Sequence, residues 1–139
     1  MRPALLLIAL LFTTAAAAGD LLPKRGPAQD FLPVDRAFEL QPLERKGDTV
    51  LVTFRIAKDY YLYRDRLKFV ADPGRTGTPA LPPSLKHEDE HFGTTEIYRD
   101  MLVVAIPAPA AGGSLSVGYQ GCADAGLCYP PQTRSLDLP

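Results

Sequence analysis

Two cysteines carry the most specific chemistry in this 139-residue sequence. Cys122 and Cys128 lie in Tyr119-Gln-Gly-Cys-Ala-Asp-Ala-Gly-Leu-Cys-Tyr-Pro-Pro131, with five residues between them. Two cysteines allow a single intramolecular pairing, so what has to be argued is whether the bridge is a staple or a working part. As a staple, closing a loop of about seven residues contributes roughly 2.4 kcal/mol through chain entropy, and joining distant strands would gain more. As a working part, a close pair on a loop flanked by Gly and Pro is within reach of another protein's thiolate, and its chemistry would be thiol–disulfide exchange. Spacing alone leaves both readings open. A metal reading would enlist His87, His91 and Met101 with the two cysteines, the soft and imidazole ligands that copper sites use. However, the tight spacing of a strong metal site is missing, and Lys86-His-Glu-Asp-Glu-His91 reads as a solvated charged loop.

The elements that must position the pair read as β-strands. Val50, Val52, Phe54 and Ile56 alternate with Leu51, Thr53 and Arg55, and Leu115, Val117 and Tyr119 alternate with Ser114, Ser116 and Gly118. Met101 to Ile106 is a continuous apolar run, as expected of a strand covered on both faces. Shorter candidates are 37–40, 60–63, 67–70 and 135–138. Within 60–63, Tyr61 and Tyr63 fall on one face and Leu62 on the other. Turn signals separate these runs at Lys46-Gly-Asp48, Asp72-Pro-Gly74, Pro79 to Pro83 and Pro107 to Gly113, and fourteen prolines leave little room for long helices. The expected class is an all-β sandwich.

The ends of the chain suggest a compartment. Arg2 gives a positive start, Pro3 to Phe12 is an apolar run, and Thr13 to Ala18 is small, the order of a secretory signal peptide cleaved after about Ala18. The apolar run is shorter than the roughly 20 residues that span a bilayer, and no direct membrane insertion of the rest is expected. Residues 19–139 then form one domain, with a lead-in arm over 19–34. Without residues 1–18 the charges are 14 Lys+Arg (15 less Arg2) against 16 Asp+Glu, so the balance is near −2. That gives no basis for a nucleic-acid surface, which needs a clustered positive field. An exported chain also meets the oxidising conditions in which a bridge persists.

The segment around the cysteines closely resembles the active-site segment of the amino-terminal periplasmic domain of the thiol:disulfide interchange protein DsbD family. Further matches follow in chain order: Leu32-Pro33 with Ala37-Phe38, Tyr60-Tyr-Leu-Tyr-Arg64, His87-Glu-Asp-Glu90, Phe92-Gly93 and Tyr98-Arg99. The resemblance covers about residues 31–138. It implies an immunoglobulin-like β-sandwich and an oxidoreductase, a protein-disulfide reductase or an electron-relay component of one. It further implies a thioredoxin-like domain as electron donor, and periplasmic disulfide isomerase or cytochrome c maturation oxidoreductases as acceptors, with no metal or organic cofactor. By motif position Cys128 would form mixed disulfides with partners and Cys122 would resolve them. Asp89, Glu90, His91, Phe92 and Gly93 match the family's cap loop over the cysteines, whereas Tyr61, Tyr63 and Asp124 would line the site. The chain departs from the family at His91, where an aromatic usually follows the Asp-Glu pair, so either Phe92 or His91 would be the shield. It also ends at Pro139, where the family continues into a membrane domain, and reads as a stand-alone version or part of a longer record. If close to the thiols, Asp89, Glu90 and Asp124 would disfavour thiolate. The alternative class is a non-enzymatic immunoglobulin-like binding or assembly module whose disulfide is structural.

Overall fold

Alternating apolar residues that bury one face and wet the other dictate most of this architecture. In a computed structural model, residues 30–108 and 112–139 are described; the expected signal peptide and most of the lead-in arm lie outside them. Strands run in the order β1 (Phe38–Leu40), β2 (Glu44–Lys46), β3 (Thr49–Ile56), β4 (Tyr60–Tyr63), β5 (Lys68–Asp72), β6 (Leu85–Asp89), β7 (Gly93–Tyr98), β8 (Met101–Pro107), β9 (Ser114–Tyr119), β10 (Gly121–Ala123) and β11 (Gln132–Asp137). A four-residue helix, α1 (Val34–Ala37), precedes them. Among the described residues no helix is long and apolar enough to cross a membrane.

Three antiparallel sheets result. In the first, β3 is flanked along its length by β8 and on its other edge by β1 and then β2. The second has the order β10-β4-β7-β6 and the third β11-β9-β5. Val50, Val52 and Phe54 of β3, Leu102, Val104 and Ile106 of β8, and Leu115 and Val117 of β9 are all fully buried in one core. Each contributes roughly 1.5–3 kcal/mol on leaving water. This is the immunoglobulin-like β-sandwich.

Several local readings shift. Ala37 ends α1 rather than opening a strand, and Pro33 fixes the helix entry. The strand read over 67–70 starts at Lys68 and runs to Asp72, and the one read over 135–138 is Gln132–Asp137. The run Met101 to Ile106 is not covered on both faces: Met101 is 59 % exposed and Val103 40 %, while Leu102, Val104 and Ile106 are buried. Its outward side carries apolar residues that sequence alternation cannot separate from the inward ones. His87 lies on strand β6, paired with Thr95 of β7, and not in a loop.

The strand that matters for the site is β4. Tyr60 and Leu62 point into the main core; Tyr61 and Tyr63 point the other way, into a second buried cluster with Ile97 and Cys122. All four residues of β4 are buried, because the second face is roofed by the cysteine segment and its neighbours.

Candidate functional site

The cysteine segment begins as a strand of its own. In β10, Cys122 pairs with Tyr61 of β4, while an isolated bridge joins Cys122 to Cys128 across the loop. Gly121 makes this close approach feasible. A Cβ there would lie 2.3 Å from the Tyr61 carbonyl oxygen and 2.4 Å from Cζ of Phe38, so no larger residue fits the register. Gly126, with φ of 106°, supplies the left-handed conformation needed to turn the loop back. The two sulfurs are bonded at 2.07 Å, with the Cα atoms 4.0 Å apart.

The two cysteines are not equivalent. Cys122 is 0 % exposed within the tyrosine cluster. Cys128 is half-buried and lines an open cleft of about 310 Å³, shared with Tyr61, His87, His91, Asp124 and Gly126. An incoming group can therefore meet Cys128 from the cleft, whereas Cys122 is approached only through Cys128 or by opening the site.

Beneath Cys122 lies a hydrogen-bonded unit. The Tyr63 hydroxyl is 3.0 Å from Cys122 Sγ and 3.9 Å from Cys128 Sγ. It donates to Asp89 Oδ2 at 2.5 Å, and the Tyr61 hydroxyl donates to the same oxygen at 2.6 Å. Oδ1 of Asp89 accepts the backbone N–H groups of His91 at 2.7 Å and Phe92 at 3.0 Å. One buried carboxylate thus ties the turn after β6 to the two tyrosines under the cysteines. Burial works to raise the Asp89 pKa, but these four donors together outweigh it and hold the group at about 2. Burial, together with the bond to Asp89, pushes Tyr61 up to about 12 and Tyr63 higher still. At neutral pH the unit is one anion and two neutral phenols.

Of the residues expected at the site, Tyr61, Glu90, His91 and Asp124 line the cleft with Cys128, Tyr63 and Asp89 lie beneath Cys122, and Phe92 lines a separate cleft beyond Tyr63. Phe92 packs edge-on against Tyr63 at 5.2 Å between ring centroids, with the Arg66 guanidinium 5.0 Å from its own centroid, yet it remains 48 % exposed. His91 lies in the cleft wall near Cys128, its Nε2 3.6 Å from an oxygen of the exposed Glu90. Gly93, at φ of 71°, closes the turn. Asp124 is on the loop and is gripped by Arg99. Of the residues weighed as metal ligands, Met101 lies on the first sheet, whereas His87, whose ring packs on Tyr61 at 4.6 Å, and His91 line the cleft with Cys128. Among the described residues no three His, Cys, Asp or Glu side chains converge to hold a metal ion.

Sequence reasoning did not single out Arg66, Ile97 or Arg99 for a role at the site. Arg99 belongs to the Tyr98-Arg99 motif, but its partner lies 25 residues further along the chain.

Comparison with known proteins agrees with this geometry. The family described as thiol:disulfide interchange protein DsbD, N-terminal, matches residues 28–139. Thiol:disulfide interchange protein DsbD 2 of Pseudomonas aeruginosa is 46 % identical over 143 residues, covering 99 % of this chain and 24 % of that protein. Its counterpart in Escherichia coli K12 is 42 % identical over 134 residues, covering 95 % of this chain and 23 % of that protein. The chain spans about a quarter of the length of these curated relatives. The crystal structure of the Neisseria meningitidis DsbD N-terminal domain in the reduced form is 37 % identical, with a TM-score of 0.73 covering 81 % of this chain and 93 % of that one. The same domain in complex with the PilB N-terminal domain is 38 % identical, with a TM-score of 0.65 covering 79 % and 88 %. With its buried tyrosine–carboxylate unit beneath an asymmetric cysteine pair, this chain belongs to the family of the DsbD N-terminal domain.

Proposed function

We propose that the chain is a periplasmic electron carrier that works through a reversible Cys122–Cys128 disulfide, accepting electrons from a thioredoxin-like donor and passing them to periplasmic oxidoreductases. Candidate acceptors are a disulfide isomerase and the oxidoreductases of cytochrome c maturation. Residues 1–18 serve as the export signal and are removed after about Ala18. The observation that carries the reading is the asymmetry of the pair, with Cys128 opening on a cleft and Cys122 enclosed beside Tyr63 and Asp89. Support also comes from the neisserial domain, solved in a reduced form and in complex with the PilB N-terminal domain.

In the accepting half-cycle, a donor thiolate attacks Cys128 Sγ. The Cys122–Cys128 bond breaks, and Cys122 leaves as a thiolate that takes up a proton. The donor's second thiolate then attacks its own sulfur in the mixed disulfide and releases Cys128, leaving the domain with two thiols and the donor oxidised. In the delivering half-cycle, the Cys128 thiolate attacks an acceptor disulfide. Cys122 then attacks Cys128 Sγ, re-forming the bridge and releasing the acceptor as a dithiol.

The buried unit restrains the reduced state. The single hydroxyl hydrogen of Tyr63 is committed to Asp89, so a lone pair faces the sulfur of Cys122. That arrangement accepts from an S–H and, with the Asp89 anion behind it, disfavours the thiolate. Residues 89–93 act as the cap, with Phe92 anchored on Tyr63, and a docking partner displaces them. Tyr61, Tyr63 and Asp124 line the site. Trapping tests the assignment: Cys122→Ala in periplasmic extract accumulates mixed disulfides through Cys128, whereas Cys128→Ala traps far fewer. Equal trapping by both variants sinks the division of labour.

A further inference from the structure

The loop between the cysteines is held from outside by a residue that the exchange chemistry does not use. Arg99 stands in the tight turn from β7 to β8, next to Asp100, whose φ is 61°. Its guanidinium donates to both oxygens of Asp124, at 2.8 Å to Oδ1 and 3.1 Å to Oδ2, the two-pronged geometry that fixes orientation as well as distance. The same group lies 5.2 Å from the Tyr61 ring centroid and donates to the Tyr60 carbonyl at 3.4 Å. Arg99 is thus seated on β4 and grips the middle of the cysteine loop. Backbone bonds complete the loop's shape, from Ala123 N–H to the Leu127 carbonyl at 2.7 Å and from Asp124 N–H to the Asp59 carbonyl at 2.8 Å.

While the bridge is intact the loop is closed covalently, and the grip adds little to closure. Once the pair is reduced, non-covalent contacts alone decide how often the Cys122 thiol stands within reach of Cys128. We infer that Arg99 is a positioning residue for the redox cycle: seated on the Tyr61 ring and gripping Asp124, it holds the reduced loop in the shape of the oxidised one and so favours closure of the disulfide. This deepens the carrier reading and rests on it. A contact that keeps two thiols close raises the effective concentration of each at the other, as any restraint on loop closure does. A contact that merely stabilises the fold would support both redox states equally and leave their balance untouched.

The test is the equilibrium of the purified chain with glutathione. Two protein thiols and one glutathione disulfide yield the protein disulfide and two glutathione thiols, with two electrons passing to glutathione. Parent, Arg99→Gln, Asp124→Asn, the double variant and Arg99→Lys are compared by the ratio of reduced to oxidised protein, with urea stability of both redox forms measured in parallel. Arg99→Gln and Asp124→Asn each lower the closure constant by about threefold to tenfold, a potential less negative by about 15–30 mV for a two-electron couple. The double variant is no worse than either single one, because the two residues act through each other. Arg99→Lys, which keeps the charge but loses the fork, falls between. Folded variants that share the parent's closure constant overturn the inference, as does Asp124→Asn matching the parent while Arg99→Gln shifts. A parent chain that cannot be reduced while folded defeats the carrier reading itself, an outcome visible in the parent alone.

Discussion

Replacing Asp89 by Asn removes one charge from the centre of the site at almost no change in size. The carboxylate takes two tyrosine hydroxyls on one oxygen and two backbone N–H groups on the other. An Asn has one carbonyl oxygen, so its NH2 must face one of these donor pairs. The backbone donors cannot turn away, whereas the hydroxyls can rotate, and Tyr63 then directs its hydrogen toward Cys122 Sγ. Held at about 2 in the fold against an ordinary 3.8, the native carboxylate contributes about 2 kcal/mol at neutral pH. Because the folded value is the lower one, that contribution is complete above the unfolded value and is lost as pH falls through the folded one. Urea unfolding of the oxidised chain at pH 7 places Asp89→Asn about 2 kcal/mol below the parent, with the gap shrinking to well under half by about pH 2. A gap of the same size at both pH values, or none at pH 7, refutes the charge-based account of this residue. In the reduced form the same variant alkylates faster at Cys122, since the reoriented Tyr63 hydroxyl now stabilises a thiolate.

Two further outcomes follow from the packing. Phe92→Ala speeds alkylation of the reduced pair severalfold and His91→Ala does less, because Phe92 is the ring seated on Tyr63; stopped-flow alkylation of both variants checks this, and the reverse order assigns the shield to His91. Gly121→Ala lowers urea stability by about 3 kcal/mol, the upper end for overpacking, since its Cβ meets a β4 carbonyl that cannot move without breaking the β4–β10 pairing; a loss under about 1 kcal/mol contradicts the close approach.

The parts legible in the sequence were those with short-range signatures. Val50, Val52, Phe54 and Ile56 announced a half-buried strand by period-two spacing, and they are the buried side of β3. The same rule placed Tyr61 and Tyr63 together, apart from Leu62. It failed for Met101 to Ile106, where apolar residues occupy both faces, and for β2 and β6, whose charged residues look like loop. The cysteine pair was visible by type and spacing. What tunes it was not, because the decisive contacts are long-range: Tyr63 to Asp89 spans 26 positions and Arg99 to Asp124 spans 25. The segment 89–93 stood out by resemblance, but the buried bonds of Asp89, which shape its turn, appear only when β4 and β6 are brought beside the same β7.

The central claim is that the bridge is a working part that opens and closes in a standing fold. As a staple over so short a loop it contributes only about 2.4 kcal/mol, less than the roughly 5–15 kcal/mol that holds a domain together. Thiol content and far-UV circular dichroism followed together during reduction by a thioredoxin-like protein test this directly. Two thiols per chain appearing while the β-sheet spectrum stays unchanged is the expected result. Loss of the spectrum in step with reduction, or no reduction at all, contradicts it.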